Sequence, residues 1–147
     1  MSESLTDIPL EAVVEDLLQA TGQLLRRLRA EAKTSSDLTW SQTVVLKRLE
    51  TAGAMTTAEL ARAEAVTPQS MGVTLAGLEQ AGFVTRRTNP ANGRQLLYTL
   101  TDAGAAVRRR QKLLKRAWLS AAMAELEPQA RRTMSEAAAF IKRLSEA

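Results

Sequence analysis

The sequence contains no cysteine and no histidine. Without cysteine, the chain can form no disulfide, no thiolate redox sensor and no cysteine-ligated zinc site. Without histidine, it lacks the commonest transition-metal ligand and the usual general base of enzymes. It also has no glycine-rich loop of the kind that cradles phosphates. We therefore expect that the protein is not an enzyme and needs no metal or other cofactor.

Aromatic residues and long apolar runs are scarce as well. Two tryptophans, two phenylalanines and one tyrosine are spread over 147 residues, so leucine, alanine and valine must fill the interior, which favours helices over a large sheet. No apolar run approaches the roughly 18 to 20 residues that cross a bilayer, and the acidic first residues are the reverse of a secretory signal. We expect a mainly α-helical, cytoplasmic protein with one integrated domain and no membrane association.

The net charge is only +4, but the charges are unevenly distributed. The first sixteen residues carry five carboxylates and no basic residue, whereas basic residues cluster later in the chain. The later basic residues are Arg86, Arg87, Arg94, Arg108, Arg109, Arg110, Lys112, Lys115 and Arg116. This asymmetry is typical of a nucleic-acid-binding surface. The alternative is that such charge runs are solvated helix faces, and the charges alone do not separate the two interpretations.

One short segment carries the end signals of a helix at both of its ends. Thr67 suits the N-cap and Pro68 the first helical position, and Gly82 suits the left-handed residue after the last turn. These signals predict a helix over about 68–81. Its apolar residues repeat at helical spacing and are expected to face inward: Met71, Leu75 and Leu78.

The opposite face of this helix is uncharged and rich in hydrogen-bonding groups. We expect its outward residues to be Pro68, Gln69, Ser70, Val73, Thr74 and Ala76. Such a surface can enter the major groove of DNA and meet base edges and thymine methyl groups without bringing a carboxylate near phosphate. The segment is therefore interpreted as a DNA recognition helix.

Two Thr-x-x-Gln/Glu sequences predict the starts of the preceding helices. Thr39 and Gln42 would form a capping box for a helix over about 40–51, and Thr56 and Glu59 would form another for a short helix. A tight turn then leads into the recognition helix. Two short helices joined in this way form the helix-turn-helix pattern, although helical hairpins are common in proteins that never touch DNA.

The segment that follows predicts a two-stranded β-wing. Strand-forming residues at 83–87 and 95–100 flank a turn-rich stretch. Asn92 and Gly93 favour positive backbone dihedrals and are expected at the tip, so that Arg94 projects beyond the body of the domain. A guanidinium group on a thin loop suits the narrow minor groove. The alternative is an ordinary solvent-exposed turn arginine.

Long amphipathic helices are predicted at both ends of the chain. Apolar residues repeat every three or four positions over about 10–32, and further helices are predicted over about 102–124 and from Pro128 onward. The apolar stripe is wider than the rest of the chain can cover, which favours self-association over a core helix in a monomer. We divide the chain into 1–37 (arm and dimerisation helix), 38–101 (winged helix-turn-helix) and 102–147 (dimerisation helices).

The segment from Leu38 to Thr101 resembles the MarR (multiple antibiotic resistance regulator) family of bacterial winged-helix transcription factors, and the resemblance extends over the whole chain. Its most specific part is the wing signature, in which Arg94 is followed after five residues by Leu100-Thr101. The sequence departs from the family at Asn89 and Asn92, where acidic residues are usual. It also departs in the recognition helix, since many members have arginines at the positions of Val73 and Gly77.

The resemblance implies a homodimeric transcriptional regulator, most often a repressor, that binds a pseudo-palindrome in double-stranded DNA. The predicted DNA-binding residues are Thr67, Pro68, Gln69, Ser70, Val73, Thr74, Arg86, Arg87, Asn92 and Arg94. The resemblance also implies a binding site for a small aromatic or phenolic effector between the helical base and the winged module. Leu24, Leu28 and Trp40 are candidates for this site by position, although core packing explains them equally well. The alternative is a winged-helix protein-interaction module without specific DNA binding, which Val73 and Gly77 would favour.

Overall fold

The structure is a computed structural model that describes residues 7–33 and 37–147. Six helices and three strands occur in these residues. In chain order they are α1 (Leu10–Glu31), α2 (Trp40–Ala52), β1 (Met55–Thr56), α3 (Thr57–Ala63), α4 (Pro68–Gln80), β2 (Val84–Asn89), β3 (Asn92–Leu100), α5 (Asp102–Ala124) and α6 (Pro128–Ser145). The mainly helical fold with a small β-wing is confirmed. None of the helices described is long and apolar enough to span a membrane, and no cluster of metal-ligating residues is found in the same ranges.

The chain forms two compact units. One contains α1 together with the chain from Leu114 onward, and the other contains Ala32–Leu113. The second unit holds the helix-turn-helix and the wing, which sequence analysis placed at 38–101. The predicted three-part division of the chain stays a prediction.

The winged unit is built around a core of leucine and valine. The largest fully buried side chains come from α2, α3 and α4, and they are Leu46, Leu60, Leu75, Leu78 and Val45. Val84 and Tyr98 extend this core beneath the sheet. Burying one such leucine stabilises the fold by roughly 2 kcal/mol, so the three helices are held together mainly by this apolar cluster.

The predicted helix starts of the winged unit are confirmed. Thr39 and Gln42 form both hydrogen bonds of a capping box at α2. At α3, the hydroxyl of Thr56 accepts from the backbone N–H of Glu59, and this is the one bond of the predicted second box that the described residues show. Thr56 also pairs with Leu97 in the sheet.

The sheet has three strands in the order β1-β3-β2, whereas two were predicted. The short strand β1 was missed because two residues give no periodicity. It pairs antiparallel with β3, with Met55 opposite Tyr98 and Thr56 opposite Leu97. The start of α3 is thereby fastened to the base of the wing.

The tip of the wing also differs from the prediction. The turn lies at 90–91, and Asn92 and Gly93 belong to β3. The prediction of positive φ angles at Asn92 and Gly93 is wrong, because neither residue is among the described residues with positive φ. The reason is local, because the side-chain oxygen of Asn89 accepts from the backbone N–H of Ala91 and closes an Asx turn, which places the turn two positions earlier than predicted.

The predicted bounds of the terminal helices are confirmed. Many apolar side chains of these helices are exposed. No residue of α1 or α6 is buried. On α1, the exposed apolar side chains include Val14, Leu18 and Leu25. Residues 1–6 of the predicted N-terminal arm and residues 34–36 lie outside the described ranges.

One residue of the predicted basic surface, Arg108, lies inside the fold. Arg108 of α5 is buried, with 4% of its area exposed. Its guanidinium donates to the side-chain oxygen of Gln111 and faces the carboxylate of Glu50 on α2. Lys112 lies 2.6 Å from the same carboxylate. These two cations therefore neutralise a carboxylate within the fold, and assigning Arg108 to a nucleic-acid surface is wrong.

Candidate nucleic-acid interface

The candidate recognition helix is α4, and hydrogen bonds fix both of its ends. The hydroxyl of Thr67 accepts from the backbone N–H of Ser70, and Pro68 occupies the first turn. At the other end, Gly82 has φ of 82°. The backbone N–H groups of Gly82 and Phe83 donate to the carbonyls of Glu79 and Leu78, which forms a Schellman motif. The helix is thus specified by local sequence at each end.

The inward face of α4 is sealed into the core and the outward face is open. Met71, Leu75 and Leu78 are at most 3% exposed, as predicted. On the opposite side, Val73 is 76% exposed and Gln69 is exposed as well. The helix therefore presents an uncharged surface to the solvent.

The two glycines of α4 have different surroundings. A Cβ on Gly77 would lie 2.8 Å from the side-chain nitrogen of Gln42, so the glycine lets α2 approach closely. A Cβ on Gly72 would meet no atom within 4 Å. Gly77 is thus explained by packing between helices, whereas Gly72 keeps the outer surface of α4 low.

The hydroxyl groups of α4 bond within the helix. The hydroxyl of Thr67 donates to that of Ser70 at 3.1 Å, and the hydroxyl of Thr74 donates to the backbone carbonyl of Ser70 at 3.3 Å. Ser70 and Thr74 also line a cavity of about 250 Å³ together with Trp40. These hydroxyls therefore lie on the flank of α4 that faces α2, and the O–H donors of Thr67 and Thr74 are already used within this segment.

The wing brings Arg94 close to the start of α4. Arg94 is exposed on β3, and its backbone N–H donates to the side-chain oxygen of Asn92 at 3.2 Å. Arg94, Thr57 and Pro68 line one groove of about 290 Å³. The structure thus brings together two parts of the predicted site that are 26 positions apart.

The replacements at the wing tip form neutral hydrogen bonds. The side-chain amide of Asn89 donates to the side-chain oxygen of Gln95 at 3.1 Å, and the oxygen of Asn92 accepts from a backbone N–H. Neither amide contacts the guanidinium of Arg94 in the described bonds. The side chain of Arg94 is therefore left for an external partner.

The two arginines of β2 have different surroundings. The side chain of Arg86 lies 3.3 Å from the carboxylate of Glu79 on α4. This pair neutralises the one carboxylate of the helix. Arg87 is exposed on the next position of the strand, so its side chain points to the other face of the sheet.

Thr101 follows the last strand of the wing and joins three elements. Its hydroxyl accepts from the backbone N–H of Gly104, which caps α5, and donates to the carbonyl of Gly82 at 2.6 Å. Its backbone N–H donates to the carbonyl of Phe83. The end of α4, the end of the wing and the start of α5 therefore meet at one side chain.

The predicted effector-binding residues lie in different units. Trp40 is half exposed and lines a cavity of about 500 Å³ with Val44 and Met55 in the winged unit. Leu24 and Leu28 belong to α1 in the other unit. The predicted shared pocket stays a prediction.

A capped helix-turn-helix, followed directly by a β-hairpin whose Arg94 lies beside the start of the second helix, defines a winged helix-turn-helix protein. The uncharged outer face of α4 and the exposed Arg94 are the features that such a protein presents to DNA.

Comparisons with known proteins agree with this class. The MarR family model matches residues 38–96. An HTH-type transcriptional regulator of Mycobacterium tuberculosis is 35% identical over 126 residues, which cover 86% of this chain and 87% of that protein. An HTH-type transcriptional repressor of the same species is 39% identical over 101 residues, covering 69% and 73%. The chain belongs to the MarR family of transcriptional regulators.

A solved structure extends the comparison to the whole fold. The crystal structure of Streptococcus pneumoniae FabT in complex with DNA has a TM-score of 0.69. It is 15% identical and covers 94% of this chain and 98% of that one. At this identity the match shows that the fold is shared.

Proposed function

We propose that the protein is a homodimeric repressor that binds a pseudo-palindromic operator in double-stranded DNA. The observation that carries this proposal is the groove in which Arg94 of the wing meets Pro68 at the start of α4. One protein surface can thereby place a helix in the major groove and an arginine in the adjacent minor groove. The DNA complex of FabT and the relative named a repressor support the same function.

The terminal helices support the homodimer. Neither α1 nor α6 buries a residue, although both carry apolar side chains at helical spacing. Uncovered apolar side chains on α6 include Met134, Phe140 and Ile141. A second copy would cover such faces, because an isologous interface pairs the same patch from both chains. Two recognition helices would then read half-sites about 10 base pairs apart.

The predicted effector would act on the spacing of those two helices. A small aromatic or phenolic molecule can shift the dimer only through a different affinity for the two spacings. The cavity beside Trp40 supports such binding because Lys47 accompanies apolar side chains in its lining. Arg48 in the same lining pairs with the carboxylate of Glu64. Leu24 and Leu28 of α1 stay predictions for effector binding.

The proposal is tested by footprinting the purified protein on fragments selected from its source genome. We expect a two-fold symmetric footprint, occupied by two chains, that moderate salt weakens steeply. Protection of an asymmetric site by one chain would contradict the dimeric mode. Equal affinity for the selected fragments and for random duplex would contradict specific binding.

The alternative is a winged-helix module that binds another protein. Its support from the sequence was the absence of arginines at Val73 and Gly77. The structure accounts for Gly77, because Gln42 of α2 occupies the space of a side chain there. The exposed Val73 is then the remaining support. Failure of the protein to bind heparin or random duplex at low salt would favour this alternative.

A further inference from the structure

The outermost side chains of α4 lie directly opposite its buried face. Residues four positions apart lie on the same side of a helix, and Gln69 and Val73 have this spacing. With 100° between successive residues, both point away from the core formed by Met71, Leu75 and Leu78. These two side chains would therefore enter the major groove first.

Gln69 differs from the other polar residues at the start of α4. The hydroxyls of Ser70 and Thr74 bond within the helix. Gln69 is exposed, and among the hydrogen bonds of residues 7–33 and 37–147 its side-chain amide takes part in none. A free carboxamide has one donor and one acceptor in the arrangement that pairs with the N6 and N7 atoms of adenine.

Val73 offers the matching apolar contact. It is 76% exposed, the largest exposure among the large apolar residues described. A Cβ on the neighbouring Gly72 would meet no atom of another element within 4 Å, so no other part of the fold blocks this side of the helix. In the major groove, the apolar group that an aliphatic side chain can meet is the C5-methyl group of thymine.

The helix lacks the side chains that most often pair with guanine. Its sequence, PQSMGVTLAGLEQ, contains no arginine or lysine, and these are the side chains that pair with the O6 and N7 atoms of guanine. Its one carboxylate, on Glu79, is held by Arg86. The carboxylate that would accept from the N4 amino group of cytosine is therefore engaged in an ion pair.

We infer that α4 reads A·T base pairs at the centre of each half-site, with Gln69 recognising an adenine and Val73 contacting a thymine methyl group. The inference rests on the proposed function and names the base pairs that this surface selects. Since Gln69 and Val73 are about 6 Å apart along the helix, the two bases lie within about two base-pair steps of each other.

The test is a selection from a random duplex library with the full chain, repeated with Gln69→Ala and Val73→Ala. We expect a pseudo-palindrome with A·T pairs under α4. Gln69→Ala should lower the preference for one adenine about tenfold. Replacing one thymine per half-site by deoxyuridine should weaken binding by the wild type about fourfold, the effect of one buried methyl group, and leave binding by Val73→Ala unchanged.

Gln80→Ala is the matched control, because Gln80 is exposed at the opposite end of the same helix and should leave the selected bases unchanged. Thermal melting of each variant verifies that the fold is intact. A pseudo-palindrome with G·C pairs under α4, or unchanged base preferences in both variants, would overturn the inference and leave the proposed function standing. A selection that enriches no sequence would overturn both.

Discussion

Single residues at the junction after α4 determine how closely its neighbours pack. A Cβ on Gly104 would overlap the backbone carbonyl of Phe83. Backbone cannot rotate away as a side chain can, so Gly104→Ala should lower the free energy of unfolding by about 3 kcal/mol, at the upper end of overpacking effects. Urea unfolding at one fixed protein concentration measures this change.

Gly72→Ala is the control for that substitution. Both glycines are helical, but the space around Gly72 is empty. Alanine is favoured over glycine in a helix by up to about 1 kcal/mol, so this variant should be more stable than the wild type. Equal effects of the two substitutions would show that Gly104 is not a close-approach site.

At the scale of elements, the end of α4 and the start of α5 depend on one hydroxyl. Thr101→Val keeps the shape of the side chain but removes the cap of α5 and the bond to the carbonyl of Gly82. The lost cap and the unpaired carbonyl should together cost about 2 kcal/mol of unfolding free energy. Thermal unfolding compares this variant with Thr85→Val on the exposed face of β2, which should change stability by less than about 0.5 kcal/mol.

The wing contributes charge to the proposed interface through Arg94. Arg94→Ala should weaken DNA binding and lower the slope of log affinity against log salt by about 0.9 per chain. Mobility-shift titrations over a range of salt concentrations measure both quantities. Arg132→Ala removes the same charge from an exposed position of α6 and should leave the slope unchanged. An unchanged slope in Arg94→Ala would show that the wing does not contact DNA.

The elements with strong local signals could be predicted from the sequence. The caps at Thr39 and Thr67, and Gly82 at the end of α4, depend on residues within one turn of each helix end. Features that depend on distant residues could not. The strand β1 exists because Met55 and Thr56 pair with β3.

The same limit applied to the charges and to the wing tip. Arg108 is buried because Glu50, 58 positions earlier, lies opposite it, and one sequence does not show such a pair. At the wing, two local signals competed, and the Asx turn of Asn89 placed the turn ahead of Asn92 and Gly93. The outward face of α4 could be predicted from the sequence. The hydrogen bonds of Ser70 and Thr74 in the structure then separate these two residues from Gln69, whose side chain has no such bond among the described residues.

At the scale of the whole molecule, the exposed apolar side chains of the terminal helices favour association with a second chain. On α1, Leu18 and Leu25 are 65% and 54% exposed. Two buried leucines contribute roughly 4 kcal/mol to an interface when a second chain covers them. The proposed operator requires two copies of α4, one from each chain. The pairing of the chains would therefore depend on leucines of α1 that do not contact DNA.

The double variant Leu18→Glu, Leu25→Glu should convert a dimer into monomers, because a buried, unpaired carboxylate costs several kcal/mol. Sedimentation velocity at micromolar concentration measures the mass in solution. Gln19→Glu adds charge on the opposite side of α1 and should remain dimeric. The monomeric variant should bind one half-site weakly and lose the two-fold footprint. If it stays dimeric and keeps the footprint, then α1 is not the dimer interface, and another surface must place the two recognition helices on the operator.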